Sequence, residues 1–178
     1  MGGGDTIMVF DGSPENVQMV KDWIAEIDVP DGGAEGMILT SGGRFAGYGF
    51  YLLKGKPVFL WNLIDLRRIR WEGPKLSPGK HTVEFDFKYD GLGAGTLRYN
   101  NMSGIGQGGT GTLKVDGKAV ATQKMKHTLP IILQWDEAFD IGSDTLTGVN
   151  DADYKPPFAL TAKLNKLTIK VDDQLFSQ

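Results

Sequence analysis

The sequence lacks cysteine altogether. A disulfide framework, a thiolate metal site and a cysteine nucleophile are therefore excluded, and the redox compartment is left open. Basic runs are also absent and the formal net charge is -3, which argues against nucleic acid as a partner. No stretch approaches the length of about 18 apolar residues that indicates a membrane-spanning helix, so we expect no membrane partner.

Glycine and aromatic residues are plentiful instead. The 25 glycines amount to about twice the usual share. Together with 4 tryptophans, 5 tyrosines and 9 phenylalanines, they indicate many turns around an aromatic core rather than disorder. At 178 residues the chain fits one domain, which should bury roughly 70% of the surface that it exposes when unfolded.

Alternating apolar residues between Gly and Pro turns predict strands. The clearest segment is 110–126, in which the pair Asp116-Gly117 separates two alternating runs. An Asp-Gly pair is a strong hairpin signal because a two-residue type I′ turn needs positive φ at both positions. Similar patterns predict strands at 21–29 and 81–89, and a hairpin across Lys54-Gly55-Lys56.

The last strand is predicted over 158–171. Its alternation shifts phase near Asn165-Lys166, which predicts a bulge there. Residues 91–109 form a Gly-rich insertion between two predicted strands, and 136–157 are acidic and rich in turn residues. A loop as long as the Gly-rich insertion is uncommon unless it is functional or mobile.

Strands every 8 to 12 residues, with no convincing amphipathic helix, predict an all-β fold. We expect an antiparallel two-sheet jelly-roll sandwich, concanavalin A-like, over residues 20–178. An N-terminal segment, 1–19, should join its edge. The opening Met-Gly-Gly-Gly has no apolar core behind it, so it is not a signal peptide and is typical of an artificial start to a fragment.

Several motifs occur in an order that carries a resemblance. They are Gly33-Ala-Glu-Gly-Met-Ile-Leu-Thr-Ser-Gly-Gly-Arg-Phe-Ala-Gly-Tyr, the hairpin Gly47-Tyr-Gly-Phe-Tyr-Leu-Leu-Lys-Gly-Lys-Pro-Val-Phe, Gly79-Lys-His-Thr-Val-Glu-Phe, Gly111-Thr-Leu-Lys-Val-Asp-Gly-Lys-Ala-Val-Ala, Asp140-Ile-Gly-Ser-Asp-Thr and Asp153-Tyr-Lys-Pro-Pro-Phe. The chain resembles laminin-G and concanavalin A-like sandwiches, and within them the carboxy-terminal β-sandwich region of bacterial arylsulfatases. The resemblance covers residues 20–172 except for an insertion at 97–105.

The resemblance implies a non-catalytic accessory domain of a sulfatase-like hydrolase. Sulfatases act through a formylglycine made in a Cys/Ser-x-Pro-x-Arg motif, and neither Ser13-Pro14 nor Ser77-Pro78 continues that pattern. The implied partners are the sulfatase catalytic domain of the parent chain or a second copy of this chain. The alternative function is a carbohydrate-binding, lectin-like module for acidic or sulfated glycans.

Two surfaces are candidates for binding. The acidic loop from Asp136 to Asp153 offers Asp140, Asp144 and Asp153 as calcium ligands, because hard cations prefer carboxylate and carbonyl oxygens. The alternative, which we favour, is that these aspartates cap turn amides. A basic strand with Arg67, Arg68, Arg70 and Trp71 suits an anionic sugar or the acidic face of a neighbouring domain, against the plain alternative of a solvated strand face.

The remaining candidates have structural explanations that we favour. Aromatic side chains that offer sugar platforms should mostly be core; they are Trp61, Trp71, Trp135, Tyr48, Tyr51 and Tyr99. A third function, a small glycanase, would use Glu84 and Asp86, although their spacing departs from the glucanase motif Glu-x-Asp-x-x-Glu. His81 and His127 are expected at strand ends. Ser41, Ser77, Ser103 and Ser143 lack the sequence context of a nucleophile elbow. This argues against a hydrolytic triad.

Overall fold

The alternating segments form strands that are arranged in two sheets. The computed structural model describes residues 7–11, 20–90, 108–127 and 139–171. Within these residues the strands are β1 (Ile7–Asp11), β2 (Val20–Val29), β3 (Gly36–Gly42), β4 (Gly47–Leu53), β5 (Lys56–Leu63), β6 (Arg67–Glu72), β7 (Gly79–Tyr89), β8 (Gly109–Val115), β9 (Lys118–Met125), β10 (Phe139–Ile141), β11 (Ser143–Asp144), β12 (Phe158–Ala159) and β13 (Lys163–Val171). The described residues contain no helix, so none that could cross a membrane.

The order of the strands in the second sheet largely follows their order in the sequence, whereas the order in the first sheet does not. The first sheet has the order β1-β13-β2-β7-β8-β9, and the second has β11-β12-β3-β4-β5-β6 with β10 also paired to β3. Neighbouring strands are antiparallel except for β1 with β13 and β12 with β3. The predicted all-β, two-sheet jelly-roll sandwich is therefore confirmed.

An aromatic core fills the space between the sheets. The rings of Phe59 and Phe85, from opposite sheets, stack with centroids 3.6 Å apart, and Trp23 packs against both. The indole N–H of Trp71 donates to the Gly111 carbonyl at 2.9 Å. A β-carbon at Gly111 would lie 2.6 Å from that indole, so the close approach of the two sheets requires glycine here.

A smaller apolar cluster covers the outer face of the second sheet. Its buried members are Met37, Tyr51, Val58, Leu60, Val149 and Tyr154. The last two belong to the acidic segment, which therefore packs on the sheet. The hydroxyl of Tyr154 donates to the buried carboxylate of Asp144 at 2.5 Å, and the hydroxyl of Tyr51 donates to Asp153. These bonds anchor the covering segment through groups that would otherwise be buried without partners.

Local predictions are confirmed at the turns and at the bulge. Asp116 and Gly117 have φ of 50° and 77°, as a type I′ hairpin requires, and Lys54 and Gly55 have φ of 51° and 78°. The register of β13 against β2 shifts between Leu164 and Lys166, where the bulge was predicted.

The prediction of one strand over 158–171 is wrong. β12 belongs to the second sheet and β13 to the first, and the chain crosses between them. Thr161 drives the crossing, because its N–H donates to the Glu35 carbonyl and its hydroxyl accepts from the Glu35 N–H, both at 2.8 Å. Most of the predicted insertion, residues 91–107, lies outside the described residues.

Candidate functional site

Successive side chains of the basic strand β6 point to opposite faces of the sheet. Trp71 points inward and is buried, so it offers no surface for a ligand. Arg70 is half-buried and bonds Glu72 and Asp153. Arg68 pairs with Asp65 and donates to the Val149 carbonyl at 3.2 Å. Two of the predicted surface arginines are thus engaged within the protein.

Arg67 differs from its neighbours. It lies at the start of β6, opposite Leu63, and its side chain is exposed. No residue in the described part of the chain forms an ion pair or hydrogen bond with its guanidinium. A free guanidinium offers planar, paired donors to a carboxylate or sulfate group.

Asn62 ties together the two loops at this end of the second sheet. Its side-chain amide donates to the carbonyls of Gly43 and Arg44 at 2.9 and 2.8 Å. Its side-chain oxygen accepts from the N–H of Asp65 at 2.9 Å. Asn62 is fully buried, so each of these bonds replaces water that cannot reach the site. The loops 43–46 and 63–67 are consequently held in one arrangement.

The turn between β5 and β6 has a strained backbone. Ile64 and Asp65 have φ of 52° and 57°, the left-handed region that glycine prefers. A β-branched residue there is rare, and such a conformation costs on the order of 1 to 3 kcal/mol. Strained residues of this kind cluster at functional sites, where the surrounding structure over-determines them.

Apolar side chains are exposed on these two loops. Leu66 is 89% exposed, Phe45 57% and Ile64 39%, although residues 57–62 of the preceding strand β5 are buried. With Arg67 they form a surface that we call the rim, consisting of Phe45, Ile64, Leu66 and Arg67. Arg44, beside Phe45, is tied to a third loop by an ion pair with Asp151 at 2.8 Å. The rim is therefore a rigid, partly apolar surface with one unpaired cation.

The predicted aromatic platforms are core residues, as expected for most of them. Tyr48, Tyr51, Trp61 and Trp71 are all buried, whereas Trp135 and Tyr99 lie outside the described residues. Burial raises the pKa of Tyr48 to about 12. Hydrogen bonds with the side chains of Trp23 and Ser41 oppose this rise of the pKa.

The acidic loop uses its aspartates for separate contacts. Asp140 accepts from the N–H and hydroxyl of Thr145 at 3.0 and 2.7 Å, as a turn cap does. Asp144 bonds Tyr154, and Asp153 accepts from Arg70. Among the described residues these three carboxylates do not meet as a cluster. Asp136 lies outside that part of the chain, and the calcium site stays a prediction.

Glu84 and Asp86 lie on the outer face of the first sheet. With Asp22 they place carboxylate oxygens within 4.8 Å of one another. Lys114 approaches Glu84 at 2.7 Å and Asp86 at 3.7 Å, and the hydrogen bond to Glu84 raises the pKa of Lys114. Neither carboxylate lines the cleft described below, and both are in contact with the lysine. This arrangement gives no support to the glycanase hypothesis.

The two histidines are far apart. His81 Nδ1 lies 2.8 Å from Asp116 Oδ2, at the turn that begins β9. His127 follows the end of β9, about 26 Å away for a strand of eight residues. Ser77 Oγ lies 3.2 Å from His81 Nε2, but that nitrogen also lies 3.0 Å from the carbonyl oxygen of Ser77. Both ring nitrogens thus have partners, one in the β8–β9 turn and one in the loop before β7.

Comparison with known proteins gives information about the fold. No family model and no curated protein matches the sequence. Solved structures of the CBM40 module of a Ruminococcus gnavus IT-sialidase do match. The module bound to α2,3-sialyllactose has a TM-score of 0.54 at 12% identity, over 89% of this chain and 80% of that chain. The form bound to α2,6-sialyllactose has a TM-score of 0.52 at 11% identity, over 90% and 83%.

A further structure of the same module has a TM-score of 0.53 at 11% identity, over 90% of this chain and 82% of that chain. At such identity the likeness shows a shared fold and nothing more. These structures come from a sialidase, so they lend no support to the arylsulfatase resemblance, which stays a prediction.

Proposed function

We propose that this protein is a carbohydrate-binding module that binds acidic glycans. The observation that carries the proposal is the shared fold over 89% of the chain with a module that holds sialyllactose. Sialyllactose bears one carboxylate on an otherwise hydroxylated ligand. A module with that task needs a cation for the carboxylate and apolar side chains for the CH faces of the sugar rings.

The rim supplies both kinds of group. Arg67 offers a guanidinium that no described residue occupies, so an acidic sugar gains an ion pair without breaking one. Leu66 and Phe45 present apolar surface that a sugar ring can cover, and covering it removes apolar area from water. Because Asn62 fixes both loops, little conformational entropy is lost when the ligand binds.

Titration calorimetry tests this function directly. Both sialyllactose isomers should release heat on binding, whereas lactose, which lacks the carboxylate, should bind at least about tenfold more weakly, since a charge-assisted bond is worth about 1.5 kcal/mol or more. Arg67→Gln should remove most of the difference between sialyllactose and lactose. Absence of heat with sialyllactose and with sulfated glycans at millimolar concentration would rule out the proposal.

A matched control separates the rim from general charge effects. Lys118 is exposed at the β8–β9 turn, away from the rim, so Lys118→Gln removes one positive charge without altering the rim. It should leave affinity for sialyllactose unchanged. Equal losses for Lys118→Gln and Arg67→Gln would mean that net charge, and not the rim, governs binding.

The exposed apolar side chains also favour a second function, docking on a catalytic domain of the parent chain, as the arylsulfatase resemblance implies. An interface of that kind buries on the order of 1,200 to 2,000 Å². Expressed alone, such a surface should self-associate, and Leu66→Glu should abolish the association in analytical ultracentrifugation. A strictly monomeric wild-type protein at high concentration argues against docking and leaves glycan binding as the function.

A further inference from the structure

A cleft of about 510 Å³ opens at one end of the first sheet, where β2 ends and β7 and β13 begin. Its volume lies within the range of small-molecule sites. Polar side chains dominate the lining, which consists of Glu26, Ile27, Asp28, Lys80, His81, Thr82, Asp116, Lys163 and Asn165. None of these residues belongs to the rim.

Three charged residues of this cleft lie opposite one another on adjacent strands. Asp28 of β2 is the cross-strand partner of Lys80 on β7 and of Lys163 on β13. Within the described residues none of the three takes part in an ion pair shorter than 4 Å. The other carboxylates of the cleft are occupied, because Glu26 pairs with Lys166 at 3.6 Å and Asp116 with His81. Where these three residues lie side by side, the two lysines exceed Asp28 by one positive charge.

The β-bulge shapes the cleft. Lys163 and Leu164 pair with Asp28 and Ile27, and Lys166 pairs with Glu26, so Asn165 has no partner on β2. A bulge of this kind re-aims a side chain and increases the local twist. Here it places an amide, which both donates and accepts hydrogen bonds, in the wall of the cleft.

His81 lines the cleft, and hydrogen bonds hold its ring in place. Nδ1 is bonded to Asp116, and Nε2 faces the Ser77 carbonyl. Asp116 is itself held by the N–H of Thr82 at 2.9 Å, and this bond keeps the pKa of Asp116 below its ordinary value. Binding need not order these groups, which limits its entropic cost.

We propose that this cleft binds a single sugar ring that carries a carboxylate, such as a hexuronic acid. The carboxylate pairs with the ammonium groups of Lys80 and Lys163, and the sugar hydroxyls donate to Asp28 and bond Asn165. The ligand carboxylate balances the excess positive charge of the two lysines over Asp28. A neutral sugar would form no ion pair with these lysines. The site does not depend on the function proposed for the rim.

The test is a titration of the full chain, followed by NMR, with galacturonate and with glucose. Galacturonate should bind with a dissociation constant of about millimolar, in keeping with the efficiency of small ligands, and shift the amides of residues 26–28, 80–82 and 163–165. Lys163→Gln and Asn165→Ala should each weaken galacturonate binding measurably, by up to about tenfold. An effect of this size is what the loss of one hydrogen-bonded contact produces.

Two controls make the result decisive. Lys155→Gln removes an exposed charge outside the cleft and should leave galacturonate affinity unchanged, and so should Arg67→Gln at the rim. Retention of galacturonate binding in Arg67→Gln, with loss in Lys163→Gln, supports the cleft even if sialyllactose fails to bind the rim. The proposal is overturned if galacturonate shifts no cleft amide, if glucose binds as tightly, or if Lys155→Gln weakens binding as much as Lys163→Gln.

Discussion

Replacing Asn62 by alanine should destabilise the protein and release the rim loops. The substitution removes three hydrogen bonds, two to the carbonyls of Gly43 and Arg44 and one from the N–H of Asp65. At about 1 kcal/mol for each bond, the free energy of unfolding should fall by about 3 kcal/mol. For a chain of this size each kcal/mol lowers the melting temperature by about 2 to 4 °C, so the expected fall is about 6 to 12 °C.

Urea and thermal unfolding, followed by tryptophan fluorescence, measure this change. Leu66→Ala is the matched control, because Leu66 is 89% exposed and its loss should alter stability by less than about 0.5 kcal/mol. Glycan affinity should fall in both variants, through loop disorder in Asn62→Ala and through lost contact in Leu66→Ala. A melting temperature of Asn62→Ala within 2 °C of wild type (about 0.5 to 1 kcal/mol) would refute the claim that Asn62 fixes the loops.

Other variants address the turn, the core and the buried phenol. Ile64→Gly relieves the left-handed backbone and should stabilise the protein by about 1 kcal/mol in urea unfolding; a destabilised variant would mean that the turn is not strained. Gly111→Ala should cost about 1 to 3 kcal/mol because its methyl group meets the core indole; an unchanged urea midpoint would contradict that packing. Tyr48 keeps its proton to about pH 12 when folded but loses it near pH 10 when unfolded, so stability should be complete below pH 10 and fall by about 2 to 3 kcal/mol as the pH rises to 12. Tyr48→Phe should show a smaller fall between pH 9 and pH 11, and an equal fall would assign the alkaline transition to other groups.

Much of the fold follows from local sequence. The period of two in Trp23, Ala25, Ile27 and Val29 defines which face of β2 is buried, because adjacent strand residues point to opposite faces. The Asp116-Gly117 turn follows from backbone sterics alone. Such features depend on neighbours along the chain, which the sequence displays.

The crossing between β12 and β13 depends on distant residues. Thr161 bonds Glu35, 126 positions away, and nothing within 158–171 reveals that contact. The covering of the second sheet by the acidic segment is similar, because Asp153 finds its partners, Tyr51 on β4 and Arg70 on β6, only after folding. The acidic, turn-rich composition of this segment predicted irregular structure but not its packing on the sheet.

The candidate site was only partly predictable. The basic residues of β6 predicted a ligand surface that includes Arg67. The same pattern also included Arg68 and Arg70, whose side chains are paired with Asp65 and Asp153. The signal for the rim was the apolar residue Ile64 inside a turn, where polar residues and glycine are usual. Its strain and its support by Asn62 depend on backbone angles and burial that no spacing reveals.

Mapping of backbone amides during titration of ¹⁵N-labelled protein with α2,3-sialyllactose tests acidic-glycan binding at the rim most directly. The largest shifts should fall in residues 43–46 and 63–67 and should disappear with Arg67→Gln. Shifts confined to other parts of the chain, or no shifts at a ligand concentration of about 10 mM, well above the affinity of a specific glycan module, would contradict it.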